Sequence, residues 1–186
     1  MMGMNRNTNA LSSTQLSPSF MPGFGFGKRK GGGGDGVKGL KLEHRIGVQA
    51  PPQVIWDLIA EVRAWPEWNP LYTRAEGVLS IGAPLELTLA LPDQPPRHIE
   101  PVVIDWVPLE QLHWRTSVAG GFGAAIRYIE IDQVDENACI VSNGELFQGL
   151  LGPTSAKRVQ RPLKKGFAAM GEALKAKAEA AWRSAR

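Results

Sequence analysis

Few side chains in this 186-residue chain combine a reactive group with a spacing that would put it to use. The three histidines, His44, His98 and His113, are scattered, and no cysteine or carboxylate stands at metal-ligand spacing from any of them. No metal site is therefore expected, and a lone histidine acting as general base is a minor option. Cys139, the only cysteine, lies in the strand-like run Ala138-Cys139-Ile140-Val141. There a thiol reads as a small buried hydrophobe rather than a nucleophile. The sequence has no nucleophile elbow and no nucleotide fingerprint. Gly23-Phe24-Gly25-Phe26-Gly27-Lys28 lacks the preceding strand and following helix of a phosphate-binding loop. No cofactor is expected. What remains is charge in an apolar setting. Arg127 falls on the same side of a strand-like run as Ile129 and Ile131. Glu145 belongs to the last strand, which admits two registers. Either Ile140, Ser142, Gly144 and Leu146 face inward, or Val141, Asn143, Glu145 and Phe147 do.

The elements that must position these residues can be read from periodicity. Leu40, Leu42, His44 (less certainly), Ile46 and Val48 alternate with Lys41, Glu43, Arg45 and Gly47, the period of a half-buried strand. Pro51 and Pro52 end it and open a helix, where a missing N–H and a fixed φ are harmless. Ile55, Leu58, Ile59 and Val62 make that helix's apolar stripe. A Trp- and Pro-rich turn follows, Trp65-Pro66-Glu67-Trp68-Asn69-Pro70, and three of the six tryptophans fall within residues 56–68. Six strand-like runs come next, at about 72–80, 85–91, 98–107, 111–118, 124–134 and 138–147, separated by Gly, Pro, Asp and Asn turns. In the fourth of these, Leu112, Trp114, Thr116 and Val118 share the inner face and His113 and Arg115 the outer. A helix from about Thr154 or Pro162 to Ala185 closes the chain, its apolar face carrying Val159, Leu163, Phe167, Met170, Leu174, Ala178 and Trp182. Pro162 is expected to start or kink it, and Gly166 and Gly171 to weaken it. Strand, helix or helix pair, six strands and a long helix make an α+β architecture built on an antiparallel sheet.

Composition separates the ends from the body. Residues 1–38 carry a net charge of +4, residues 39–156 of −8 and residues 157–186 of +7. Residues 1–38 are rich in Asn, Ser, Thr and Gly and read as a disordered tail, leaving residues 39–186 as one folded domain. The basic C-terminal helix is able to meet nucleic acid or an anionic membrane, but the preferred reading is a solvated outer face, with no nucleic-acid partner. No apolar run approaches the roughly 20 residues that span a bilayer, so no stable membrane insertion is expected. A single cysteine fits a reducing compartment, and the expected location is cytoplasmic. The acid-free first 34 residues keep organelle targeting as a minor alternative.

The element order, with Pro51-Pro52-Gln53-Val54-Ile55-Trp56-Asp57 and Trp65-Pro66-Glu67-Trp68-Asn69-Pro70, resembles the START-like superfamily of polyketide cyclases/dehydratases and lipid-transfer proteins, the SRPBCC domain. Leu112-His113-Trp114, Gly144-Glu145-Leu146-Phe147-Gln148-Gly149 and Phe167-Ala168-Ala169-Met170-Gly171-Glu172-Ala173-Leu174 extend the likeness over about residues 40–180. The resemblance implies a helix-grip fold: a curved seven-stranded antiparallel sheet wrapped around the C-terminal helix, with two short helices after the first strand, enclosing a cavity. It favours the second register of the last strand. Arg127, Asn143 and Glu145 then point into an apolar interior, where Glu145 with Arg127 is the natural ion pair. Such a pair would orient a ligand's polar head, and burial would tune Glu145 for acid/base work; the bland reading is a satisfied polar cluster, or Glu145 at the rim in water. Trp68, Asn69 and Tyr72 fall beside the mouth of that cavity, or equally form a cap that only closes the core. Trp114, Ile129, Phe147, Leu163, Phe167 and Met170 are the further candidates for ligand contact, and Glu145 is the catalytic candidate.

This fold hosts carriers, sensors, cyclases and chaperone regulators, so the resemblance does not fix an activity. The leading expectation is the binding of a small hydrophobic or amphipathic ligand, lipid- or polyketide-like. The alternative is a cyclase/dehydratase-like enzyme in which Glu145, with Arg127 or Tyr72, moves protons while the pocket positions a reactive chain. A protein-interaction module on the same fold is the third option. Oligomeric state is not legible from the sequence.

Overall fold

The computed structural model describes residues 39–186; the tail expected over residues 1–38 lies outside the described residues. Strand β1 (Leu40–Val48) leads into helix α1 (Pro52–Ala60) and a 3₁₀ helix (Val62–Glu67). Strands β2 (Tyr72–Gly77), β3 (Leu85–Leu89), β4 (Arg97–Ile99), β5 (Val102–Val107), β6 (Gln111–Val118), β7 (Gly123–Asp135) and β8 (Ala138–Gly149) follow, and helix α2 (Gly152–Ser184) closes the chain. Every pairing is antiparallel. The helix-grip architecture expected from the sequence is the one observed.

The strand count differs. There are eight strands rather than seven, in a five-stranded sheet of order β1-β8-β7-β6-β5 and a three-stranded sheet of order β2-β3-β4. The run expected as one strand over residues 98–107 divides at Glu100-Pro101 into β4 and β5. Proline has no N–H to give to a ladder, so the pairing must change partner there. It does so in three residues. Leu85 donates to the Pro101 carbonyl (2.8 Å), Gly82 to that of Val103 (2.8 Å), and the Val103 N–H to that of Ala83 (3.0 Å).

The Trp-rich turn is a packed corner. The Trp65 indole N–H donates to the Ile59 carbonyl at 3.0 Å, which ties the end of α1 to the turn. The Trp65 ring lies 5.3 Å from Tyr72 and 5.7 Å from Trp114, so β2 and β6 meet on one fully buried indole. Trp56 of α1 stacks on Trp106 of β5 at 6.1 Å.

Helix α2 begins two residues before Thr154 and runs through Pro162 for 33 residues, about 50 Å at 1.5 Å per residue. Leu163, Phe167, Met170, Leu174 and Ala178 are all buried on one face. Gly166 and Gly171 weaken the helix intrinsically, but they are also where it comes closest to its neighbours. A methyl at Gly166 would sit 2.5 Å from Leu71 Cδ2, and one at Gly171 2.6 Å from His44 Nδ1. His44 therefore lies on the inner face of β1, directly beneath the helix.

Gly171→Ala should lower stability by roughly 1–3 kcal/mol, even though alanine alone favours a helix by about 1 kcal/mol, because the His44 ring must be displaced. Chemical denaturation checks this, and His44→Ala in the same background should recover part of the loss as a coupling energy. A Gly171→Ala protein as stable as the parent would mean that helix and strand stand further apart.

Candidate functional site

Register across the large sheet brings the polar candidates into line. Trp114 pairs with Arg127, Arg127 with Glu145 and Glu145 with Leu42, making one row on the concave face. The next row is Leu112, Ile129, Asn143 and His44. In β8, Cys139, Val141, Asn143 and Phe147 are buried against the core, which selects the second of the two registers.

Arg127 is 5% exposed and is held from four directions. Its Nη1 donates to the carbonyls of Tyr128 (2.7 Å) and Gly144 (2.8 Å). Its Nη2 donates to Asn143 Oδ1 (3.1 Å) and Met170 Sδ (3.1 Å). The guanidinium carbon stands 4.3 Å from the Phe167 ring centroid and 5.6 Å from that of Trp114, sandwiched between α2 and β6 in cation–π geometry. Asn143 Nδ2 in turn donates to the Phe167 carbonyl at 3.3 Å, locking sheet to helix beside Gly171. Arg127 Nε is buried with no partner.

The expected Glu145–Arg127 ion pair does not form. The two are cross-strand partners in register, but the guanidinium forks onto main-chain carbonyls, and Glu145 makes no hydrogen bond or ion pair among the described residues. Alternation places the two side chains on one face; it does not give their terminal direction, which the carbonyls of β7 and β8 set. Glu145 is half-buried as a residue; loss of water around its carboxyl pushes it up to about 7, and the charges of Arg127 and Arg97 pull only partly the other way. Tyr72 is fully enclosed, and burial raises its hydroxyl, with Arg127 and Trp114 beside it opposing that shift.

The remaining candidates divide in two. Trp114, Phe167 and Met170 join the Arg127 cluster, whereas Ile129, Phe147 and Leu163 are buried apolar packing around it. Trp68 and Asn69 build the turn that carries Tyr72 inward. Asn69 Oδ1 accepts the Leu71 N–H (3.0 Å), while Trp68 Nε1 and Asn69 Nδ2 are buried without partners. Beside this turn a cleft of about 240 Å³ opens between Pro70-Leu71, Ala90-Leu91-Pro92 and Gly166 and Ala169 of α2.

Arg97 was not among the sequence candidates. The available signal is its register, since Arg97 pairs with Leu89 and Ile99 with Leu87 in a sheet whose inner side is leucine. Trp65, which the sequence does not set apart from Trp68 as a site residue, is the indole that joins Tyr72 to Trp114. His113 lies on the outer face of the sheet but is buried there, with its Nε2 3.1 Å from Glu130 and its ring edge-on to Tyr128, whose hydroxyl donates to Glu43 at 2.7 Å. Among the described residues no group of three His, Cys, Asp or Glu is placed to hold a metal ion, and no helix is long and apolar enough to cross a membrane.

Residues 39–179 match the family model described as polyketide cyclase / dehydrase and lipid transport. No curated protein matches the sequence. Among solved structures, the Zhui aromatase/cyclase from Streptomyces sp. R1128 is similar with a TM-score of 0.63 at 16% identity, over 80% of this chain and 97% of that one. A Thalictrum flavum norcoclaurine synthase point mutant in complex with a transition-state analogue gives 0.58 at 16%, over 77% and 96%. A START superfamily protein from Mycobacterium smegmatis gives 0.54 at 14%, over 78% and 99%. At such identities the likeness is one of fold.

The raised Glu145 carboxyl has a consequence for stability. Folded, it keeps its proton up to about pH 7, whereas an ordinary carboxyl releases it near 4.5. The folded state therefore binds the extra proton between those values, and the stability it confers is complete below 4.5 and lost as pH rises to 7. The unfolding free energy from denaturant titrations should fall across that window by up to about 3 kcal/mol, and Glu145→Gln should flatten the profile. A parent profile as flat as the variant's would place Glu145 in water.

Proposed function

The chain belongs to the polyketide cyclase/dehydrase and lipid transport family, and from that premise we propose that it binds a small hydrophobic or amphipathic molecule, lipid- or polyketide-like, between the concave sheet and α2. The observation that carries this reading is the environment of Arg127. A guanidinium buried in an apolar interior, with no carboxylate in contact and one N–H unpartnered, suits the polar end of a ligand whose body is hydrocarbon or aromatic. Trp114, Phe167 and Met170 supply that body's surroundings, and methionine repacks at low cost when a ligand enters. All three are 1% exposed or less, so side chains fill the interior of this conformation and a ligand enters by displacing them. The 240 Å³ cleft beside Leu71 and Gly166 is the proposed route.

Native mass spectrometry of the freshly purified chain is expected to find an apolar adduct that is released on unfolding. Arg127→Met should bind the extracted adduct at least tenfold more weakly, about 1.4 kcal/mol, while keeping the parent's circular dichroism. The absence of both an adduct and measurable uptake of a fluorescent fatty acid would rule out this reading.

A second reading, a cyclase/dehydratase-like enzyme, has one specific observation in its favour. A carboxyl titrating at about 7 is balanced between acid and base at neutral pH, the condition for proton transfer to and from a positioned chain. On this reading Glu145 moves the proton, Tyr72 donates a hydrogen bond and Arg127 holds the developing negative charge. Glu145→Gln should then abolish turnover of an aromatic polyketide-like substrate and leave its affinity within about threefold. Unchanged turnover would take Glu145 out of the mechanism.

A further inference from the structure

The molecule carries an apolar tip that its interior does not use. Phe122, in the loop between β6 and β7, is 65% exposed, and Leu150 and Leu151, in the link between β8 and α2, are 83% and 40% exposed. The two loops are joined, since the Leu151 N–H donates to the Phe122 carbonyl at 3.3 Å. Their backbone is held in a demanding shape. Ala119, Gly120 and Gly121 have φ of 53°, 66° and 95°, and Gly149 has 83°. A non-glycine residue in that region is strained, so surrounding structure fixes the loop that carries Phe122. Large side chains exposed to this degree are projections, unlike the walls of a groove that would grip a peptide.

Charge surrounds the tip with one sign. From Leu146 to Gly171 the sequence has no Asp or Glu and five basic residues. Lys157, Arg161 and Lys164 recur at helical spacing on the exposed side of α2, starting about 8 Å along the axis from Gly152. Between Thr116 and Ile129 the only charge is the buried Arg127. Gly39, the first described residue, lies beside Phe147 and Gln148, close to the same end.

We infer that the Phe122–Leu150–Leu151 tip and the Lys157–Arg161–Lys164 stripe together form a docking surface for an anionic lipid bilayer, with the tip inserting among the acyl chains and the stripe lying over the headgroups. Projecting apolar side chains beside a basic helix face match an interface that is fluid within and negative at its surface. A nucleic acid would use the basic stripe but has no place for two leucines. Docking here is peripheral and reversible, and it does not depend on which ligand the interior binds. It brings to the bilayer the end of the molecule where Gly152 packs on Phe147.

Flotation of the full chain with vesicles tests this. Binding is expected to vesicles of phosphatidylcholine mixed with phosphatidylglycerol, not to phosphatidylcholine alone, and should weaken as salt rises. The double variant Phe122→Asp/Leu150→Asp and the double variant Lys157→Glu/Arg161→Glu should each bind at least tenfold more weakly, with melting temperatures within a few degrees of the parent. Loss in the charge variant alone would mean non-specific adsorption and overturn the proposal. Tighter binding to duplex DNA than to the mixed vesicles would also overturn it, as would a dimer that the Asp variants convert to monomer.

Discussion

The separation between helix α2 and the sheet is the constraint on which the interior depends, and two glycines set it. At Gly171 the helix backbone comes down onto His44 and Asn143; at Gly166 it meets Leu71. This approach puts the Phe167 carbonyl within reach of Asn143 and brings the Phe167 ring and the Met170 sulfur onto the Arg127 guanidinium. A wider gap would leave that charge facing a void or water. The helix gives up intrinsic propensity at two positions and gains a polar lock at its centre.

Arg127 and Glu145 show how burial separates two charges that alternation alone would pair. Four acceptors and two rings hold Arg127 without a carboxylate and leave only its Nε unpartnered. Glu145, left without a contact partner, answers burial by holding its proton. The pair is thus cationic below about pH 7 and approaches neutrality as Glu145 ionises above it.

Much of this was legible in the residues. The alternation of Leu40–Val48, the stripe of α1, the inner face of β6 and the apolar face of α2 all follow from periods of 2 and 3.6, and burial follows those periods closely. The division at Pro101 was there to be read, since a proline within a ten-residue strand is a misfit. The direction of the Arg127 fork was not legible, because it depends on the Gly144 carbonyl and the Asn143 side-chain amide, seventeen and sixteen residues away. The contact of Gly171 with His44 was hidden for a related reason. A glycine in a helix reads only as a weak helix former until the strand beneath it is known. His44 and Trp65 carry no local signal that separates them from ordinary core residues; long-range packing gives them their places.

The break at Pro101 also decides how the two sheets are held together. A single continuous barrel-like sheet would resist opening through every rung of its ladder. Here the three-stranded sheet is bound to the five-stranded one chiefly through the short exchange of residues 82–85 with 101–103. The β2–β4 sheet, with Tyr72 on its inner side, is therefore held over Arg127 more by side-chain packing, such as Trp65 between Tyr72 and Trp114, than by main-chain ladder, whereas β1, β8, β7 and β6 are joined by long ladders.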